Sequence, residues 1–207
     1  MAEPGYTFPN KMGRIVLLAL EEVMGRNGLN AVLNLARLPH LSGNYPPPDF
    51  KPGVSFDEMS RLLGSIDEMY GPRGGRMLHL RAGRACFSFG VKDLGGLLGL
   101  ADVAFRVVPL EVRMRVGIEV LAEIMNRYSD QHIRLAAEDA NFLWVTERCG
   151  VCWERTTTYP ACALMVGLLQ EAMYWVSGGR RFDVQETACL AMGDENCTLA
   201  LSKVPLI

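Results

Sequence analysis

Five of the six cysteines in this 207-residue chain lie in its last third, together with one glutamate that precedes a cysteine by three positions. An apolar helical pattern and two strand-like runs separate these residues into three groups. Thiolates and carboxylates are typical protein ligands of zinc. We therefore predict that the fold assembles one metal site from side chains in this region, which are Cys149, Cys152, Cys162, Glu186, Cys189 and Cys197.

The composition limits the class of protein. Hydrophobic residues make up 49% of the chain and the formal net charge is -2, which gives no reason to expect nucleic acid or an anionic membrane as an obligatory partner. No apolar run approaches the ~18 residues needed to span a bilayer, and Met1–Pro4 does not resemble a signal peptide. We expect a cytoplasmic protein, in which cysteines bind metal or stay free instead of forming disulfides.

The N-terminal region, residues 1–52, is predicted to contain two helices and a proline-rich connector. Asn10 is a candidate N-cap for a helix over about Met12–Gly25, whose apolar residues cover more than one stripe. Such a helix is either buried in the core of one chain or wedged between two subunits. The second alternative predicts a homodimer that uses this region.

The following helices are predicted from caps and breakers. Ser55 and Glu58 form a capping box for a helix to about Tyr70, and the glycine-rich run 71–75 ends that helix. This run lacks the Gly-Lys-Ser/Thr ending of a P-loop, so a phosphate-binding loop is not favoured. Two glycine-rich helices over Met77–Val91 and Lys92–Phe105, and an amphipathic helix over Leu110–Tyr128, should follow.

After residue 132 the hydrophobic period changes from that of a helix to that of a strand. Two runs joined by a tight turn at Asp139–Asn141 predict a hairpin, Pro160 opens a helix that stops at Gly178, and two further strand-like runs end the chain. The order ββαββ predicts an α+β fold with an antiparallel sheet of about four strands flanked by helices.

The cysteines allow more than one interpretation. Free cysteines often act as small buried hydrophobic residues. A metal site would instead need a bulge in the strand to bring Glu186 and Cys189 to one ion, because residues three apart in a flat strand point to opposite faces. Cys162 lies near a helix N-terminus, where the dipole favours its thiolate.

The run from Cys162 to Cys197, with its pattern Glu186-x-x-Cys189-x-x-x-Gly193-x-x-x-Cys197, resembles the C-terminal signature of the 4-vinyl-reductase domain family. Predicted hydrocarbon-binding proteins, a bacteriochlorophyll-biosynthesis protein and the sensory domains of phenol- and xylene-responsive activators share this domain. The resemblance covers roughly residues 149–201 and assigns residues 53–207 to a domain of this type.

The resemblance implies a fold related to TRAPP-type subunits and to nitric-oxide-sensing ligand-binding domains, often dimeric. It also implies a zinc ion held by Cys162, Glu186, Cys189 and Cys197 beside an aromatic-ligand pocket. Cys149 and Cys152 are then alternative ligands, a redox dithiol or a spare pair. Phenol itself is not the expected ligand, because valine stands at 166 where phenol sensors carry a polar aromatic residue.

A small-molecule-binding domain, sensory or carrier, is therefore the predicted function, with a hydrophobic or aromatic molecule or a tetrapyrrole precursor as ligand. Candidate pocket residues are Phe87, Phe89, Phe142, Trp144 and Val166. The alternatives are an accessory reductase in bacteriochlorophyll biosynthesis and a TRAPP-like scaffold. An enzyme is the less favoured reading, because no dinucleotide-binding Gly-x-Gly-x-x-Gly follows a strand and the three histidines have no evident catalytic partners.

Overall fold

The computed structural model describes residues 5–98 and 108–206, and for residues 94–98 it describes the backbone alone. The predicted helix end between Gly99 and Phe105 lies outside these ranges. The described chain is α+β, as predicted. Its elements are β1 (Thr7–Pro9), α1 (Asn10–Leu35), β2 (Pro52–Ser55), α2 (Phe56–Leu98), α3 (Leu110–Tyr128), β3 (His132–Ala137), β4 (Asn141–Arg148), α4 (Ala163–Ser177), β5 (Phe182–Ala188) and β6 (Cys197–Pro205).

The main sheet has four antiparallel strands in the order β3-β4-β6-β5, which confirms the predicted ββαββ half. Strand β4 pairs with β6 so that Trp144 lies opposite Leu199 and Phe142 opposite Leu201. All four side chains are buried. Because side chains alternate between the faces of a strand, this register places one apolar face of the sheet in the core.

A second sheet, which the sequence did not predict, pairs β1 with β2. It brings the proline-rich connector to the start of α1, where the backbone amides of Asn10 and Lys11 donate hydrogen bonds to the carbonyls of Lys51 and Asp49. The prediction of Asn10 as N-cap is wrong: Pro9 holds that position and no side chain caps the helix. Main-chain carbonyls satisfy two of the free amides instead.

Two glycines interrupt the long helices. Gly25 in α1 has φ 74° and ψ 163°, and Gly71 in α2 has φ 71° and ψ 163°. These angles are outside the helical region, and glycine adopts a positive φ without a steric penalty. The predicted breaks at Gly25 and Gly71 are confirmed. The two helices predicted for Met77–Val91 and Lys92–Phe105 instead form one segment as far as Leu98.

The two-sided apolar character of α1 has an explanation within one chain. Ile15, Leu17, Ala19 and Leu20 are buried, and the segment after Gly25 also contributes residues to the core. The helix packs against α2 and β2. Burial on both sides therefore follows without a second subunit, so the helix pattern no longer favours a dimer over a core helix. Among the described residues, no helix is both long and apolar enough to cross a membrane.

Helices α2 and α4 approach each other closely at two glycines. A Cβ atom on Gly83 would lie 2.0 Å from the Leu164 carbonyl oxygen, and one on Gly167 would lie 2.1 Å from the Leu80 carbonyl oxygen. Backbone atoms cannot yield as a side-chain end can. The residues that make this contact follow Cys162 on α4, so the glycines fix the position of the helix that begins at the cysteine cluster.

We predict that Gly83→Ala destabilises the protein by about 2–3 kcal/mol, because the added methyl group separates α2 from α4. Gly90→Ala is the matched control on the same helix, since its Cβ would meet no atom within 4 Å. The control should leave stability unchanged or raise it by up to about 1 kcal/mol. Urea denaturation of both variants measures the difference, and equal stabilities would contradict the close approach.

Candidate functional site: a cysteine cluster, an apolar cavity and a polar cleft

Chain ends of three strands and one helix meet at the cysteine cluster. Cys149 follows the last residue of β4, Cys152 lies in the next turn, Cys162 is the N-cap of α4, Cys189 follows β5 and Cys197 begins β6. All five are buried and free of disulfides. The topology thus brings together the cysteines that the sequence distributes over about fifty positions.

Four of the sulfurs form a compact group. The Sγ atoms of Cys149, Cys152, Cys162 and Cys197 all lie within 4.8 Å of one another. The Cys149–Cys162 distance is 3.5 Å, the Cys152–Cys197 distance 3.4 Å and the Cys162–Cys197 distance 3.6 Å. A tetrahedral zinc–thiolate site with bonds of ≈ 2.3 Å has edges of about 3.8 Å. The sulfurs are therefore arranged as such a site requires.

Cys162, Glu186 and Cys189 form a second group of donor atoms within 4.8 Å of one another. The pairing of β5 with β6 shifts register between Glu186 and Ala188, which is the irregularity expected from their spacing. The Cys162 amide donates to both carboxylate oxygens of Glu186, at 3.1 and 3.0 Å. The two groups share Cys162, so they lie next to each other.

Hydrogen bonds from backbone amides hold the turn between β5 and β6, which follows Cys189. The amide of Leu190 donates to Sγ of Cys197 at 3.3 Å, and the amide of Cys189 donates to Oδ2 of Asp194 at 2.7 Å. An amide that points to sulfur favours its thiolate form. These bonds fix the turn between β5 and β6 against the cluster.

The electrostatics of the cluster favour a bound cation. Hydrogen bonds from the thiols of Cys152, Cys162 and Cys197 hold the pKa of Cys149 well below its usual range, and hydrogen bonding to Cys149 raises the pKa of Cys162. Burial and the neighbouring Cys189 raise the pKa of Glu186 to about 8. Because the donor groups lie so close together, they cannot all be ionised at once without strong repulsion. A bound divalent cation would neutralise this repulsion.

The predicted ligand set is divided between the two groups. Cys162 and Cys197 belong to the four-thiol group, whereas Glu186 and Cys189 belong to the second group. The alternative ligands Cys149 and Cys152 complete the four-thiol group. Their Cys-x-x-Cys spacing is itself a zinc-site signal, so the sequence contained the information to rank them higher.

An apolar cavity of about 110 Å³ lies between the helices, close to the cluster. Gln131 is the one polar side chain among the described residues that line it. The other lining residues are Phe8, Met12, Ile15, Val16, Met59, Cys86, Phe87, Gly90, Val91, Leu121, Ile124, Met125, Val151, Leu164, Met165 and Leu168.

The cluster and the cavity share a wall. Val151 lies between Cys149 and Cys152 and lines the cavity, and Leu164 lines it two residues after Cys162. The turn fits tightly, because a Cβ on Gly150 would lie 2.5 Å from the ring of Phe8, which also lines the cavity. The position of the sulfurs therefore sets the position of one side of the cavity.

The predicted pocket residues have different positions. Phe87 lines the cavity. Phe142, Trp144 and Val166 are buried in the core instead, and Trp144 donates its indole N–H to the Thr146 hydroxyl at 3.1 Å. Phe89 is half-buried and carries the Lys92 ammonium over its ring. The cavity is lined by helices, turns and Phe8 of β1, and no residue of the four-stranded sheet is in its wall.

A polar cleft lies beside another part of α2 and shares no lining residue with the cavity. Its wall includes Asp67, whose Oδ2 accepts a hydrogen bond from Nη2 of Arg155 at 2.6 Å, and His79, whose Nδ1 is 3.7 Å from Oδ1 of Asp67. His79 is 2% exposed and its Nε2 has no hydrogen-bond partner in the described part of the chain. Burial lowers the pKa of His79 to about 4.

Comparisons with known proteins identify the fold. No protein-family model matches the chain, and no curated protein does. The solved structure of the Fe(II) unliganded H-NOX protein from K. algicida is similar, with a TM-score of 0.61, 13% identity and coverage of 96% of this chain and 98% of that chain. The H-NOX protein from S. oneidensis in the Fe(II)NO ligation state gives a TM-score of 0.56, 14% identity and coverage of 94% and 99%.

The chain therefore has an α+β fold similar to that of the H-NOX proteins. At these identities the likeness concerns the fold alone. The resemblance to the 4-vinyl-reductase domain rests on the cysteine motif, with no family model behind it.

We predict that the four-thiol group holds the metal. Cys152→Ser should reduce bound zinc below about half an equivalent per chain, because a serine hydroxyl is not among the usual zinc ligands. Cys189→Ser should retain the metal, and so should Cys86→Ser, a buried cysteine outside the cluster. Metal analysis of the purified variants decides. If zinc stays bound in Cys152→Ser but is lost in Cys189→Ser, the zinc ligands would instead be Cys162, Glu186, Cys189 and Cys197.

We also predict that His79 makes stability depend on pH. The folded state holds this imidazole neutral until about pH 4, whereas in the unfolded chain it binds a proton near pH 6.5. Stability should therefore fall between pH 6.5 and 4, by up to about 3 kcal/mol from this group. Urea denaturation across this range should give a shallower fall for His79→Gln than for His132→Gln, an exposed control. Identical pH profiles for the two variants would contradict the assignment.

Proposed function

We propose that the protein is a small-molecule-binding domain, sensory or carrier, in which a structural zinc ion braces one wall of an apolar cavity. The observation that supports this most directly is the shared wall: Val151 lies between two cysteines of the four-thiol group and lines the cavity. The H-NOX-like fold, which in other proteins carries a ligand, agrees with it.

In this proposal Cys149, Cys152, Cys162 and Cys197 hold the zinc. Four thiolates close a tetrahedral site and leave no position for water, so such an ion stabilises the fold and does not activate a nucleophile. Cys189 and Glu186 lie beside it as further donors. The zinc connects the turn after β4, the start of α4 and the start of β6, and so fixes Val151 and Leu164 in the cavity wall.

The lining of the cavity indicates the class of ligand. Methionine and aliphatic side chains dominate it and Gln131 supplies one polar group. A small hydrocarbon or monocyclic aromatic molecule with at most one polar substituent fits this chemistry, because every further buried polar group would lack a partner. An engineered apolar cavity of about 150 Å³ binds benzene, which shows that a void of this order accepts one ring.

Heme does not fit this cavity. One similar structure concerns heme distortion in the H-NOX family, but a porphyrin is far larger than about 110 Å³. A heme iron also takes an axial histidine, cysteinate or tyrosinate, and takes methionine together with a histidine. Neither histidine nor tyrosine lines the cavity within the described ranges, and burial raises the pKa of the Cys86 thiol to about 12, which keeps it neutral. The same size limit disfavours a tetrapyrrole precursor.

Two further parts of the proposal concern the environment of the protein. A cytoplasmic location agrees with cysteines that are free and clustered for metal binding. Homodimerisation, expected from the family resemblance, is measured by sedimentation at micromolar concentration. A stable monomer would contradict homodimerisation but would not bear on the proposals for the cavity and the zinc centre.

We predict that benzene or toluene raises the melting temperature of the zinc-loaded protein by about 2–5 °C near saturation, because it binds only the folded state. Gly90→Leu should abolish this rise: residue 90 lines the cavity and a Cβ there meets open space. Met77→Leu, a substitution at an exposed position of the same helix, is the control and should keep the rise.

Removal of the metal provides the second half of this test. Chelation should remove the benzene response as well, since it frees the turn that carries Val151. A benzene response that persists in Gly90→Leu would place the ligand elsewhere. A response that persists after complete zinc removal would show that metal and cavity are independent.

A further inference from the structure

The polar cleft beside α2 has the features of a second binding site. Its volume of about 580 Å³ is larger than that of the apolar cavity, and its lining includes charged and amide side chains. Arg73 and Arg76 stand on its rim, His79 and Asp67 form its inner wall, and Glu186 lies on the side towards the cysteine cluster. The function proposed above uses none of these residues except the last.

The lining of the cleft carries both signs of charge, with Arg73 and Arg76 on the rim and the carboxylates of Asp67, Asp183 and Glu186 in the rest of the wall. Arg73 and Arg76 are exposed, and within the described ranges neither forms an ion pair with a carboxylate. Arg73 lies in the first turn of the helical segment that begins after the break at Gly71, where the helix dipole adds partial positive charge, and Arg76 lies in the next turn. Guanidinium groups donate paired hydrogen bonds to the oxygens of a phosphate or carboxylate.

His79 adds an acceptor to the inner wall. Its Nδ1 faces the carboxylate of Asp67, which is ion-paired with Arg155 and therefore accepts hydrogen bonds only. We assign the proton of the neutral ring to Nδ1, the nitrogen that lies 3.7 Å from Oδ1 of Asp67, which makes Nε2 the acceptor. That atom is buried and has no partner among the described residues. A buried acceptor without a donor costs free energy, and a ligand that brings an O–H group would recover it.

We propose that this cleft binds a phosphate group that still carries one proton, either free phosphate or a phosphate monoester. The charged oxygens of the group meet Arg73 and Arg76, and its P–O–H donates to Nε2 of His79. Sulfate has the same shape and charge as hydrogen phosphate but no proton to donate, so its oxygen would face the lone pair of His79. The site therefore separates phosphate from sulfate by a hydrogen bond, not by size.

The test uses inorganic phosphate and sulfate at pH 7 and equal ionic strength, titrated into the zinc-loaded protein by calorimetry. Phosphate should bind saturably and at least about tenfold more tightly than sulfate, because a mismatched acceptor pair in a buried site costs at least this factor. Glycerol phosphate, tested alongside, distinguishes a monoester site from a site for the free ion. No saturable binding of either phosphate compound up to about 10 mM, an affinity near −2.7 kcal/mol, would overturn the proposal.

Three variants locate the binding. Arg76→Gln should weaken phosphate binding by about tenfold or more. Arg81→Gln removes the same charge from an exposed position outside the cleft and should leave affinity within about twofold. His79→Gln should bring the phosphate and sulfate affinities together, since an amide N–H₂ can donate to either anion. Equal losses in Arg76→Gln and Arg81→Gln would indicate nonspecific charge and would contradict the site.

The state of His79 can be observed directly. A long-range ¹H–¹⁵N spectrum of the free protein should show Nε2 unprotonated, and phosphate should shift that resonance more than sulfate does. A protonated Nε2 in the free protein would overturn the discrimination mechanism. Because the cleft shares no residue with the apolar cavity, benzene binding and phosphate binding succeed or fail independently.

Discussion

The structure depends on the convergence of buried sulfurs at the junction of β4, α4, β5 and β6. Five thiols cannot lie this close and ionise together, because each thiolate raises the cost of the next one. The divalent cation proposed here would change this repulsion into attraction and would link chain segments that are far apart in sequence. This link matters most at the turn after β4, which has neither helix nor sheet hydrogen bonds to hold it and yet supplies Val151 to the cavity wall.

The second constraint is the close contact between α2 and α4. Glycines on both helices allow the backbones to touch, so α4 is held from one end by the cysteines and along its length by α2. The void that remains lies where β1, α1, α2, α3 and α4 diverge. Apolar side chains line it, and its small size follows from the same close approach.

Two surfaces of opposite character lie at different positions along helix α2. Phe87 and Gly90 face the apolar cavity, whereas Arg73, Arg76 and His79 line the polar cleft. The break at Gly71 makes this possible, because it starts a new helical segment beside Asp67 and turns the arginines to the rim. Glu186 belongs to the cleft and also accepts the Cys162 amide. A ligand in the cleft and the metal centre would thus contact the same carboxylate.

The sequence alone determined the α+β class, the ββαββ order, the glycine breaks and the importance of the C-terminal cysteines, because these follow from local periodicity, turn chemistry and the donor types of side chains. The Cys149-x-x-Cys152 spacing indicated a zinc-type pair, but the division of the donors into two groups depends on strand register and on the bulge in β5. The sequence placed the pocket against the sheet, whereas the cavity lies among helices, a matter of packing between distant segments. The sequence also gave no sign of the β1–β2 sheet or of the Asp67–His79–Arg155 contact. Such features arise only when chain segments meet, and spacing along the chain carries no information about which ones do.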